Sequence, residues 1–225
     1  MLGTLVNTGA IIAGSAIGLA VGPRLPEKIK TILMQALGLA VVFVGLNMAL
    51  AGRATLLAIG CLLLGGITGE LLNIQQRLET LGEWLRRGLR SDSGSFVEGF
   101  VSATLLYLTG AMTIVGSIQD GTVGDASTLF IKSMLDGAAS IALASYLGIG
   151  VLCSALPVLV VQGGITLLAS QLVFLSEPAV LNAITTTGGL LILGIGINLL
   201  EIANIRISNL LPALLYAIAG ALVLA

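Results

Sequence analysis

Asp120, Asp125, Lys132 and Asp136 fall within GSIQDGTVGDASTLFIKSMLDG, residues 116–137, in a chain otherwise dominated by Leu, Ile, Val, Ala and Gly. Carboxylates beside a lysine can carry reversible protonation, hold a cation or contact an anion. In a helix beginning near Ala126, the residues Thr128, Lys132, Asp136 and Ser140 recur every fourth position and share one face, with Ser133 and Gly137 alongside. Lys132 and Asp136 can pair across one turn. Asp136 is the candidate coupling or cation-binding carboxylate, and Lys132 is its partner or an anion contact. Asp120 and Asp125 flank G-T-V-G, where Gly121 and Gly124 permit a tight turn at an outer vestibule. Asp125 also stands where it can simply cap the following helix. Ser117, Gln119 and Asp120 offer oxygens of the kind a hard cation takes, but their number and type name no metal.

What those charges can do depends on the solvent around them. Hydrophobic residues make up 56% of the 225 positions and charged residues 9%, too few to cover a soluble domain. Mean hydropathy is +1.09. A run of about 20 apolar residues crosses a bilayer core of roughly 30 Å. Such runs lie near 3–22, 29–51, 54–73, 96–118, 126–147, 149–174, 178–200 and 205–224, which predicts an all-α, polytopic membrane protein of about eight spans. The first run has no positive segment before it and is read as an uncleaved span. Segment 126–147, carrying Lys132 and Asp136, either crosses the bilayer or forms a re-entrant hairpin. In hydrocarbon an unpaired ion costs roughly 3 kcal/mol or more, so its polar stripe has to face protein or water.

Cations set the orientation. Arg24, Lys28 and Lys30 follow the first run, Arg77, Arg86, Arg87 and Arg90 follow the third, and Arg206 follows the seventh. With eight spans and both termini outside, these eight of the ten Lys and Arg residues are cytoplasmic, as the positive-inside rule favours. Within NIQQRLETLGEWLRRGLR, residues 73–90, Leu78, Leu81, Trp84, Leu85 and Leu89 share a helical face and charges surround the rest. That pattern predicts an amphipathic connector lying in the inner interface.

An internal repeat organises the chain. Shifting it by 151 positions aligns 38–71 with 189–222, with identities at Gly38/Gly189, Leu39/Leu190, Gly45/Gly196, Asn47/Asn198, Leu63/Leu214, Leu64/Leu215, Ile67/Ile218, Gly69/Gly220 and Leu71/Leu222. The related spans run in opposite senses. The chain therefore reads as one membrane domain: repeat 1 (1–73), a cytoplasmic amphipathic linker (74–95), a central helical pair (96–147) and an inverted repeat 2 (148–225). Inverted three-helix repeats flanking a central pair suit secondary transporters, whose substrate sits near the midplane. Asn47 and Asn198 stand out among the polar span residues because the repeat relates them, and helix packing is their ordinary role. Gly14, Gly18 and Gly22 form a close-packing face for a neighbouring span or for a second copy of the chain. Pro157 and Pro212 interrupt their spans and free backbone carbonyls.

Other classes fall away. There is no histidine, phosphate-binding loop or nucleophile–base constellation, so no enzyme, cofactor or metal site is assigned. No basic, aromatic-bearing face exists for nucleic acid. Cys61 and Cys153 lie in apolar runs as small apolar residues.

The segments MTIVGSIQDGTVGD (112–125), KSMLDGAASIALASYLGIGV (132–151) and NTGAIIAGSAIG (7–18) resemble the YqgA/YdfK-like family of bacterial inner-membrane proteins of unknown function. The resemblance implies a multi-pass location in the bacterial inner membrane and carries no substrate or catalytic residue. Two readings follow from the residues. The first is a small secondary transporter or ion-conducting protein handling a small ion or solute. In the second, a structural or regulatory protein that transports nothing, Lys132 and Asp136 form a buried ion pair.

Overall fold

Apolar runs with few turn residues inside them fold here as helices, and the breakers set their ends. The structure, a computed structural model, describes residues 1–88 and 94–224. Leu89 and Arg90 of the amphipathic stretch lie outside the described residues. The helices are α1 (Leu2–Val21), α2 (Glu27–Ala51), α3 (Thr55–Leu71), α4 (Ile74–Gly88), α5 (Phe96–Leu108), α6 (Ala111–Thr122), α7 (Ser127–Leu147), α8 (Gly150–Cys153), α9 (Ala155–Leu167), α10 (Pro178–Leu199), α11 (Ile207–Leu210) and α12 (Pro212–Leu224). No strand occurs among the described residues. Pro178 opens α10, where its missing N–H costs nothing. Gly148, at φ +79°, terminates α7 in a conformation that favours glycine.

This is a helical membrane protein. Four helical segments are long and apolar enough to cross a bilayer: Leu2–Arg24, α2, Gly150–Leu167 and α10. The number rises to six if the α3–α4 pair, bent by 58°, and the α5–α6 pair, bent by 60°, each count as one span. The bundle exterior is apolar, as lipid contact requires, with Leu50 74%, Leu56 85% and Met134 78% exposed. α7 is one continuous helix of 21 residues, about 31 Å long at 1.5 Å per residue, and not a re-entrant hairpin. Its ions lie on the covered face, while Ile131, Met134 and Leu135 face out.

Glycines bring the helices together. Along α1, Gly3 meets Leu129, Gly14 meets Gly137, Gly18 meets Ile141 and Gly22 meets Ser145, so α1 and α7 run parallel. A Cβ at Gly14 or Gly18 would strike the Gly137 or Ile141 carbonyl oxygen. The Gly14/Gly18/Gly22 face is thus covered by α7 and is not open to a second copy, because backbone already fills the groove. α2 and α10 pack antiparallel: Gly45 approaches Leu193 and Gly189, while Gly38 approaches Leu200. α3 packs antiparallel on α12, with Gly65 on Ala213 and Leu57 on Gly220.

One run expected to be continuous is broken. Segment 96–118 bends at Thr109–Gly110, between α5 and α6, without a proline. Thr113 Oγ1 donates to the Tyr107 carbonyl at 2.9 Å, satisfying a backbone group at the bend, and Thr109 Oγ1 adds a 2.7 Å bond to the Leu105 carbonyl, which the Thr109 N–H already holds at 3.0 Å. Pro212 opens α12, and Pro157 lies in the first turns of α9, where a proline is tolerated.

The seam between α2 and α10 gives a direct stability test. Gly45→Ala inserts a methyl against Leu193 backbone and is expected to cost about 1–3 kcal/mol. Gly60→Ala, with nothing within 4 Å of the added carbon, is expected to be neutral or to gain up to about 1 kcal/mol from helix propensity. Thermal unfolding of the two variants in detergent checks the contrast, and equal effects would reject the close-approach argument.

Candidate functional site

Three helices converge on Asp136. It lies nine residues into α7, about 14 Å along its axis and therefore near the middle of the helix. One turn earlier, Lys132 Nζ bonds Asp136 Oδ2. From α1, Asn7 Nδ2 donates to the same carboxylate oxygen at 3.0 Å and to Gln162 Oε1 on α9 at 2.9 Å. Two acceptors on one amide nitrogen fix the Asn7 orientation. The chain continues outward through Gln162 Nε2 to Thr4 Oγ1 at 3.4 Å, and Thr4 pairs with Thr166 at 3.0 Å. Asn7, Thr4 and Gln162 are fully buried, and Lys132 is 5% and Asp136 8% exposed.

On the α5 side, the Lys132 ammonium sits 5.8 Å from the centre of the Tyr107 ring, a distance at which the π face still attracts a cation. Tyr107 is fully buried, and its hydroxyl pairs with Ser140 at 2.7 Å. Ser140 thus belongs to the cluster through Tyr107, as the four-residue stripe predicted. One acceptor is left over. Asn7 Oδ1 is buried beside the pair with no hydrogen-bond partner among the described residues. In a dry interior such an oxygen is a place for a proton-bearing group, a water or a cation.

The other sequence candidates disperse. Asp120 was expected in an open loop, but it lies in α6, buried, where Oδ2 accepts from the Gly3 N–H at 3.0 Å and sits 2.9 Å from the Met1 ammonium. It anchors the start of α1. Gly121, expected in the turn, is helical and pressed on Thr166, so the turn falls at Val123–Gly124 with Gly124 at φ +74°. Gln119 Oε1 accepts from Thr128 Oγ1 at 2.8 Å and ties α6 to α7. Ser117 is buried, and its hydroxyl has no hydrogen-bond partner among the described residues. These oxygens do not form one cage, and no group of three His, Cys, Asp or Glu side chains among the described residues could hold a metal. Asp125 is exposed and accepts from the Ser127 N–H at 3.0 Å in a local turn just before α7, whose N-cap is Ala126; that backbone bond holds its carboxyl below the usual value.

Asn47 and Asn198 are not brought together. Asn47 is exposed on α2. Asn198 makes two 2.8 Å bonds to the Ile205 backbone and closes the loop after α10. Repeat-related positions need not share a task when one faces outward and the other a loop. Asn7, Gln162, Thr4, Thr166 and Tyr107 complete the cluster beyond the residues selected from sequence. Asn7 and Gln162 were visible there as polar residues in apolar runs, but nothing local separated them from Gln35 or Asn182.

Residues 2–222 match a family model described as a protein of unknown function (DUF554). The chain is 35% identical over 219 residues to the uncharacterized membrane protein YdfK of Bacillus subtilis (strain 168), covering 96% of this chain and 93% of the relative. It is 28% identical over 222 residues to the uncharacterized protein YqgA of Escherichia coli (strain K12), covering 96% and 94%. No solved structure matches.

The buried pair is a unit, so its variants should not add. Lys132→Met alone leaves a desolvated carboxylate and is expected to cost about 3–5 kcal/mol. Asp136→Leu in the Lys132→Met background is expected to recover most of that loss, since no charge then remains buried. Unfolding midpoints of the two single variants and the double variant form the cycle, and simple additivity would show that the ions do not interact.

Proposed function

The chain belongs to the DUF554 family of proteins of unknown function, and we propose that it is a small secondary transporter or ion-conducting protein of the bacterial inner membrane, coupled through Asp136. The observation that carries this reading is the pair itself: a lysine and an aspartate buried near the middle of α7, held jointly by α1, α7 and α9, with an Asn7 oxygen beside them that has no partner among the described residues. Ionisable groups in such positions are expensive and mark ion or solute pathways by default. Asp136 is the coupling or cation-binding carboxylate. Lys132 holds the site when no cation is present and can swing toward Tyr107 when Asp136 takes a proton or a cation.

The topology we propose has eight spans with both termini outside and the α4 end in the cytoplasm. Helix directions support it. α1 and α7 are parallel, while α2–α10 and α3–α12 are antiparallel, as spans 1 and 5, 2 and 7, and 3 and 8 must be. The inverted repeat has support in reciprocal contacts. Gly45 on Leu193 and Gly189 is mirrored, under the 151-residue shift, by Gly196 on Val42 and Gly38. Gly38 on Leu200 is mirrored by Gly189 on Ala49. A two-fold axis lying in the membrane plane produces that pattern, and rocking of one repeat against the other about this seam would give alternating access.

Flux in proteoliposomes loaded with a pH-sensitive dye tests the reading. Imposed Na⁺, K⁺ or Mg²⁺ gradients should drive a pH change in wild type well above protein-free vesicles, and Asp136→Asn should abolish it while remaining folded. If no gradient moves protons and none of these ions raises the wild-type melting temperature, the structural role of the pair takes first place.

A further inference from the structure

At the α4 end of the bundle, a cleft of about 630 Å³ opens between α4, α5, the end of α10 and the loop that follows it. Its mouth is acidic. Glu79, Glu98 and Glu201 are all exposed to it. Among the described residues no Lys or Arg lines it, and neither Glu98 nor Glu201 has an ion-pair partner. Arg206 lines only the adjoining cavity and is taken by Glu70 at 2.6 Å. The deep wall is apolar: Leu105 and Ile195 belong to the hydrophobic core, with Val101 beside them. Ser208 also lines the cleft, 1% exposed, and its hydroxyl has no hydrogen-bond partner among the described residues.

We infer that this cleft binds an amphiphilic organic cation, its apolar body against Val101, Leu105 and Ile195 and its ammonium among Glu79, Glu98 and Glu201. Each alternative class meets a specific obstacle. A bare metal ion needs carboxylates close enough to share it, and no such group of three exists among the described residues. An anion would face three carboxylates and, among the described residues, no lining cation. A neutral apolar solute would leave those charges without a counter-ion, whereas a protonated amine supplies one together with hydrogen-bond donors. The volume lies in the range of roughly 300–1,000 Å³ typical of small-molecule sites. The site also gives α4 a role that an amphipathic connector lacks, since Glu79 and its 2.6 Å bond from Gln75 form one wall.

The inference stands apart from coupling at Asp136, and its test reads binding rather than flux. Full-length protein in an uncharged maltoside detergent is titrated calorimetrically with 2-phenylethylammonium and with 2-phenylethanol, its neutral counterpart. Wild type is expected to bind the ammonium at least about tenfold more tightly than the alcohol, with affinity falling as NaCl rises. Glu98→Gln with Glu201→Gln is expected to remove about tenfold of the ammonium affinity and leave the alcohol unchanged, with the melting temperature of that double variant reporting its fold. Equal affinity for the two ligands in wild type, or no ammonium binding at all, overturns the proposal without touching the transport reading. An unaltered affinity in the folded double variant overturns it as well.

Discussion

A lysine and an aspartate buried in the middle of a long helix of a membrane protein have to be answered by other protein groups, and much of the bundle is arranged around that requirement. α7 cannot turn Lys132 or Asp136 to lipid, so its polar stripe faces inward while Ile131, Met134 and Leu135 take the lipid side. The answering groups are short: an asparagine amide from α1 and, behind it, a glutamine from α9. Short side chains reach only if the backbones come close. The glycines of α1 allow this, since a β-carbon at Gly14 or Gly18 would collide with α7 carbonyls. The glycine stripe and the buried ions are therefore one feature. Widening the α1–α7 gap by a methyl would withdraw Asn7 from Asp136.

A second seam lies between α2 and α10. They approach through Gly38, Gly45, Gly189 and Gly196, and each of these contacts has a counterpart 151 positions along the chain. Asp136 does not lie on this seam. It is held where α1 and α9, the opening helices of the two repeats in the topology proposed here, meet the central helices. Asn7 and Gln162 thus come from corresponding elements without being corresponding residues. That arrangement leaves the α2–α10 seam closely packed, backbone against backbone.

Periodicity and cost made much of this readable. Helical class, the limits of α1, α2, α3, α7 and α10, the amphipathic α4 and the Lys132–Asp136–Ser140 stripe all follow from local pattern and from the penalty on buried charge. What was not legible depended on long-range partners. Asn7 and Gln162 look like any other polar residue in a span until α1 and α9 are placed side by side. Asp120 carries the same charge as Asp125, yet one is buried against the start of α1 and the other closes a local turn in the open just before α7. The bend at Thr109–Gly110 has no proline to announce it, and the Thr113 hydroxyl takes the Tyr107 carbonyl only once the bend has formed. Asn47 and Asn198 show the limit of repeat logic: the shift predicts equivalent positions in the fold, while exposure decides what each side chain does.

α5 links the two polar regions. Val101 and Leu105, one turn apart, line the acidic cleft, while Tyr107, on another face of the same helix, carries the hydroxyl that meets Ser140 and the ring beneath Lys132. The helix stops one residue later, at a bend where the Thr113 hydroxyl takes the Tyr107 carbonyl while backbone N–H groups take those of Leu105 and Gly110. A tilt of α5 about Thr109–Gly110 would shift Leu105 in the cleft and Tyr107 beneath Lys132 together, because one rigid helix holds both. α5 is therefore the helix that the cleft and the ion pair share.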